Sequence, residues 1–222
     1  SIDAFLTDLD ATHEARIKAI EYLWDYTDWK IFMPTFTGTD RLMHFLFDAW
    51  EDKNHKYHDY FLSYFHRIDE AVGAIKSRMQ DGDAMIMLSD HGFERLDKDV
   101  YVNYFLTEKG FLSPKASPNP SRLGIDQTTK AFAMDPGRIY INQKGKFPEG
   151  SVSADEMETI LRDLTNLFKE LELNGRKIIK HIFRKEEIYR GPYFQNAPDL
   201  VLIAEKGFNL KGALAPKELM SK

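Results

Sequence analysis

Between the turn formers Gln80-Asp81-Gly82-Asp83 and Ser89-Asp90-His91-Gly92 lie five apolar residues in a row, Ala84-Met85-Ile86-Met87-Leu88. The run is far shorter than the ~20 residues that cross a bilayer, and it lacks the alternation of a strand with one wet face. A short apolar run closed by turns at both ends reads as a parallel strand buried on both faces. Such a strand needs helices on two sides, and the chain supplies them. Phe5, Leu6, Leu9, Ile17, Ile20, Leu23 and Trp24 recur at three- and four-residue spacing, the stripe of an amphipathic helix. A second stripe, Tyr57, Tyr60, Phe61, Tyr64, Phe65, Ile68, Val72 and Ile75, predicts a long helix over residues 55–79. Residues 29–37 are strand formers interrupted by Pro34, and Gly38-Thr39-Asp40 is a turn and N-cap candidate before a helix over residues 41–50. Alternating helices and buried strands predict an α/β fold with a mostly parallel sheet sandwiched by helices, in a single domain over residues 1–222.

The second half carries weaker signals. Residues 101–109 read as helix, and a loop-rich insertion around residues 110–130 is centred on Ser113-Pro114-Lys115-Ala116-Ser117-Pro118-Asn119-Pro120-Ser121. Strands are expected at 130–134 and 138–142, joined by the turn sequence Asp135-Pro136-Gly137. Ser153-Ala154-Asp155-Glu156 is a capping-box start for a helix running to about residue 171. Residues 178–183 and 200–203 are the last strand candidates, and 205–222 show little periodicity.

Two short constellations carry chemistry. Asp40 and His44 stand four residues apart at the start of a helix, so their side chains project from one face, one turn apart. Taken alone, that pair is better explained by a helix cap and a packed histidine. Asp90 and His91 close the apolar run, and Gly92 lets the backbone turn; open α/β sheets bind ligands at that end of their strands. If the preceding strands are parallel neighbours, both pairs meet at one sheet edge, and two carboxylates with two imidazoles suit divalent cations. The chain has no cysteine, so disulfides, thiolate zinc sites and cysteine nucleophiles are excluded, and any metal must take His, Asp, Glu or backbone oxygen. A net charge of −5 argues against nucleic-acid binding. The local group Arg176, Lys177, Lys180, Arg184 and Lys185 reads as a solvated face. No signal-peptide pattern stands at Ser1, and no segment reads as membrane-spanning; cytoplasmic is the default expectation.

Thr37-Gly38-Thr39-Asp40-Arg41-Leu42-Met43-His44-Phe45 and Leu88-Ser89-Asp90-His91-Gly92-Phe93 resemble two metal motifs of the alkaline phosphatase superfamily. The resemblance is closest to its type I phosphodiesterase/nucleotide pyrophosphatase branch, with the predicted phosphohydrolases and phosphomutases. Softer support comes from Gly137-Arg138-Ile139-Tyr140-Ile141-Asn142, Glu187-Ile188-Tyr189-Arg190-Gly191-Pro192 and Ala197-Pro198-Asp199-Leu200-Val201. By resemblance, Asp40 and His44 hold one metal and Asp90 and His91 the other, zinc or else manganese, in a two-metal hydrolase of phosphate esters or nucleotide-type small molecules. The resemblance also implies a first-strand aspartate, a Thr or Ser nucleophile and a late histidine, none of which matches a position here; His181 is a poor substitute. The expectation is therefore an alkaline phosphatase-like domain that is partial, carrying metal ligands without the nucleophile and inactive by itself. A phosphomutase of the same superfamily and a non-catalytic binding domain that kept the fold are the alternatives.

Overall fold

The computed structural model describes residues 1–115, 124–214 and 218–221. The chain divides into two compact units, Ser1–Arg95 and Leu96–Lys222.

The first unit is built on three helices, α1 (Ile2–Tyr26), α2 (Gly38–Glu51) and α3 (His58–Ser77). The Ser1 hydroxyl accepts the Ala4 N–H and so starts α1. The predicted stripes converge: Leu6 and Leu9 of α1 pack with Leu42, Leu46 and Ala49 of α2 and with Phe61 and Tyr64 of α3. Burying each large apolar side chain contributes about 1.5–3 kcal/mol.

Two expected strands of this unit do not form. Residues 29–37 join no ladder, although a period of two survives in their burial. Phe32, Pro34 and Phe36 are half-buried while Ile31, Met33 and Thr35 are exposed. Phe32 packs on Trp24 and Trp29, with ring centroids 5.4 and 5.3 Å apart. Residues 84–88 also lie outside any strand, and Ile86 is 82% exposed. Apolar continuity records a preference for burial; it does not name the neighbouring strand, and none of the described residues pairs with this run.

The second unit holds every strand of the described residues. These are β1 (Lys98–Tyr101), β2 (Pro114–Lys115), β3 (Gly124–Ile125), β4 (Ala131–Met134), β5 (Arg138–Ile141), β6 (Glu172–Leu173), β7 (Arg176–Lys177), β8 (Ile179–Arg184), β9 (Leu200–Ala204), β10 (Phe208–Lys211) and β11 (Met220–Ser221). Its helices are α4 (Val102–Glu108), α5 (Met157–Glu170) and the single turn α6 (Lys185–Ile188). The main sheet runs β4-β5-β9-β8 and is antiparallel throughout. A smaller sheet runs β10-β1-β11, in which β1 is parallel to β10 and antiparallel to β11. The mixed helix and strand content agrees with an α/β fold, but the sheets are small and mostly antiparallel. The cause is local. A three-residue turn can return a strand only antiparallel to its predecessor, as between β4 and β5, whereas parallel neighbours need a crossover of a dozen residues or more.

The core of this unit lies on one face of the main sheet, where Ala131, Ala133, Ile139, Ile141, Leu200 and Leu202 meet Ile160, Leu161, Leu164 and Phe168 of α5 and Phe105 and Leu106 of α4. Asn103 ties α4 to the sheet. Its amide donates to the carbonyls of Ala133 (2.9 Å) and Gly212 (2.6 Å) and accepts the Ala133 N–H (2.7 Å). Residues 116–123 of the expected insertion lie outside the described residues, and its flanks pair as β2 and β3. Residues 205–222, unassigned from periodicity, supply β10 and β11. No helix is long and apolar enough to cross a membrane among the described residues.

Candidate metal centre

All four expected ligands fall in the first unit, where both imidazoles approach the Asp40 carboxylate and Asp90 approaches His91. Asp40 sits in the first turn of α2, where the helix dipole favours a negative charge. His44 follows one turn later, with its Nε2 3.6 Å from Asp40 Oδ1. His91, in the irregular segment after the apolar run, places its Nε2 3.7 Å from the same Asp40 oxygen and 3.5 Å from Asp90 Oδ2. The sheet edge expected to bring these pairs together is absent, because neither preceding segment is a strand. Asp40 nevertheless links the two motifs across 50 positions of sequence.

The surroundings orient both imidazoles. His91 Nδ1 lies 3.1 Å from the Gly92 carbonyl. A proton on Nδ1 makes that contact a hydrogen bond and leaves the Nε2 lone pair on the side of the carboxylates. The Ser89 hydroxyl donates to the His91 carbonyl at 2.5 Å, which tightens the loop. Phe93 packs edge-on against the His44 ring, with centroids 4.9 Å apart, and lies 5.4 Å from the His91 ring. It therefore forms an apolar wall shared by both imidazoles. Nothing in the two motifs themselves announced that role for Phe93; its position directly after Gly92 is the only cue.

As a donor set, two carboxylates and two imidazoles suit a divalent cation with mixed nitrogen and oxygen preference. Ligand atoms at ~2.0–2.1 Å from a tetrahedral ion lie about 3.4 Å apart, close to the 3.5–3.7 Å separations between these donors. The side chains as placed are nevertheless linked in pairs. No group of three or more His, Cys, Asp or Glu side chains among the described residues is arranged to hold a metal ion.

Other residues weighed from the sequence have local duties. Arg41 turns from the α2 N-terminus to Asp8, at 2.7 Å, and lies 5.4 Å from the Phe5 ring centre. The Thr39 hydroxyl donates to the Phe36 carbonyl at 3.4 Å. His55 lies 3.6 Å from Asp48, and His58 contacts the Ala49 carbonyl at 2.7 Å, so this i,i+3 pair serves the junction of α2 and α3. His181 is an exposed residue of β8, 5.8 Å from the Phe183 ring.

Behind α2 stands a polar cluster that sequence reading missed. The Asp10 carboxylate accepts from Tyr60 Oη and from Arg67, both at 2.6 Å. Burial and the Asp10 carboxylate push the Tyr60 hydroxyl far above its ordinary pKa, so it stays protonated. His13 packs edge-on against Tyr64 with centroids 5.5 Å apart, and its Nδ1 is buried without a hydrogen-bond partner among the described residues. Tyr64 in turn approaches Gly38, leaving no room for a Cβ at the first residue of α2. The helix that carries Asp40 and His44 is thus seated by a glycine on a buried tyrosine.

Residues 2–220 match the family model described as type I phosphodiesterase / nucleotide pyrophosphatase. No curated protein and no solved structure matches the chain.

Proposed function

The chain belongs to the type I phosphodiesterase/nucleotide pyrophosphatase family, and from that premise we propose that it carries the metal-ligand part of a divalent-metal-dependent phosphoric ester hydrolase. Asp40, His44, Asp90 and His91 are its ligands, and phosphate esters or nucleotide-type small molecules are its substrate class. The observation that carries this reading is Asp40 Oδ1, which lies within 3.7 Å of the imidazole Nε2 atoms of both motifs.

Two ions, zinc or manganese, would neutralise charge on the phosphoryl oxygens when bound. The chain's own groups prepare for this. Asp40 stands at the α2 N-terminus beside the two imidazoles, the Gly92 carbonyl faces His91 Nδ1 and leaves Nε2 toward the carboxylates, and Phe93 covers one side of both rings. Ser89 and Thr39 spend their hydroxyl protons on backbone carbonyls and serve the loops rather than the reaction.

Equilibrium dialysis against zinc and against manganese, followed by elemental analysis of the full chain, tests the reading. Divalent metal should be retained, and Asp40→Ala should weaken retention by at least about tenfold, the low end of what supporting groups alone contribute to metal sites. Absence of bound metal at saturating zinc, or equal retention by Asp40→Ala and His91→Ala, would favour a non-catalytic domain. Hydrolysis of bis(p-nitrophenyl) phosphate by the same samples reports whether bound metal is accompanied by turnover.

A further inference from the structure

Between α1 and α3 runs a groove of about 470 Å³ that the metal reading does not use. Its volume falls within the range of small-molecule sites. From α1 it takes Glu14, Ile17, Lys18 and Glu21, and from α3 Arg67, Glu70, Ala71 and Ala74. Each set follows the i, i+3, i+4, i+7 spacing of one helix face, so two faces meet along the groove. His13 lines it too and forms the floor. That residue is 8% exposed, its Nδ1 is fully buried, and neither ring nitrogen makes a hydrogen bond among the described residues. Most buried polar side-chain atoms in native proteins are paired, which singles out an unpaired imidazole at the base of a groove.

The charges of the groove have one excess sign. Glu14, Glu21 and Glu70 stand exposed on the rims and make no ion pair among the described residues. Of the two cations, Arg67 already meets Asp10 at 2.6 Å, which leaves Lys18 against three glutamates. The carboxylates are spread along the rims and not gathered in a group of three that could ligate a bare metal ion. Ile17, Ala71 and Ala74 supply an apolar lining between them.

We propose that the groove between α1 and α3 binds a small organic ammonium, a free alkylamine whose head donates to His13 and whose apolar stem lies on Ile17, Ala71 and Ala74. Burial holds the His13 ring below its ordinary pKa, the Arg67 charge adds to this, and Asp10 and Glu14 oppose it. Near neutrality the imidazole is therefore uncharged, and one of its nitrogens is an acceptor. An ammonium carries three donors, enough to use the imidazole and still face the glutamates that balance its charge.

The test is a titration of the full chain with hexylammonium at constant ionic strength, followed by NMR through the ring signals of its seven histidines. The His13 signal is the one missing from His13→Phe, and it should shift saturably. Hexanol keeps the stem without the charge, and the ammonium ion keeps the charge without the stem. Each should bind at least about tenfold more weakly, the first for want of a charged hydrogen bond and the second for want of buried methylenes. His13→Phe, which keeps a ring against Tyr64, should also lose about tenfold, with tryptophan fluorescence verifying that the unit is folded. Glu21→Gln combined with Glu70→Gln alters exposed residues only and should weaken binding at least about twofold. An unshifted His13 signal, hexanol binding as tightly as hexylammonium, or unchanged affinity in the double glutamine variant would overturn the proposal. Tighter binding of N-acetyl-lysine methylamide than of hexylammonium would also overturn it, by moving the occupant from a free amine to a peptide lysine. The measurement needs neither metal nor turnover, so its outcome is independent of the hydrolase reading.

Discussion

Replacing Gly38 by alanine tests how α2, and with it Asp40, is seated. A Cβ at position 38 would overlap the Tyr64 hydroxyl oxygen and lie 2.7 Å from Tyr64 Cζ, inside the 3.0 Å below which something must move. Either the first turn of α2 or the tyrosine ring must shift by something on the order of 1 Å, since protein interiors are close-packed. Tyr64 has little freedom to yield. It is 2% exposed, His13 packs on it edge-on, and Arg67 lies 4.9 Å from its ring centre. Forcing an extra carbon into such a site costs about 1–3 kcal/mol. The helix gains only part of the ~0.5–1 kcal/mol that alanine brings over glycine, because position 38 is its first residue. The expected net loss is about 1–2 kcal/mol, or roughly 5–15 °C in the midpoint of a unit this size. The three tryptophans, Trp24, Trp29 and Trp50, all lie in the first unit, so intrinsic fluorescence in a urea or thermal titration reports that unit selectively. In a Tyr64→Phe background the overlapping oxygen is gone and the ring contacts at 2.7 and 3.1 Å remain. The cost of Gly38→Ala should then fall by about 1 kcal/mol, a coupling that a double-mutant cycle resolves. An unchanged midpoint in Gly38→Ala, or an identical loss in both backgrounds, refutes the steric argument.

Two further outcomes follow from the buried polar groups. Burial holds the His13 imidazole below its ordinary 6.5, assisted by the Arg67 charge and opposed by Asp10 and Glu14. Between the lowered folded value and 6.5 the unfolded chain binds the proton that the folded unit refuses, so stability falls as pH drops through that window. Tryptophan-monitored urea midpoints at about pH 5.5 and about pH 7.5 should differ less in His13→Gln than in the parent chain. Asn103→Ala strips partners from the Ala133 N–H and from the carbonyls of Ala133 and Gly212. It should cost about 3 kcal/mol, seen as faster hydrogen exchange at the Ala133 amide; unchanged exchange would show that water replaces the side chain.

The parts of the fold that were legible are those whose signals are local. The stripes of α1 and α3 follow the buried faces except at Leu23 and Phe65, which are exposed, because helical periodicity needs no information from elsewhere in the chain. The hairpin of β4 and β5 was likewise written in Asp135-Pro136-Gly137. Residues 84–88 show the opposite case: an apolar run states that burial is preferred, while pairing depends on a partner the run cannot specify. Sheet direction failed for the same reason, since it is set by connections rather than by strands. At the site, residue types, spacing and the family resemblance together pointed to Asp40, His44, Asp90 and His91; in the structure Asp40 approaches both imidazoles, and Asp90 approaches His91. The Phe93 wall, the Gly92 carbonyl and the Gly38–Tyr64 seat were invisible, because each depends on packing between segments whose relative placement no spacing encodes.

The segment leading into Ser89, Asp90 and His91 has a chemical consequence of its own. Met85 and Met87 are 40% and 77% exposed, and Met33 is 82% exposed. In a chain without cysteine, these thioethers, with that of Met134 at 55% exposure, are the sulfur atoms an oxidant meets first. Sulfoxide formation adds a polar, chiral oxygen to a previously apolar ribbon and is reversed only by dedicated reductases. The oxidative history of a preparation is therefore written next to its candidate metal ligands, where a mass increase of one or two oxygens on the peptide containing Met85 and Met87 reads it out.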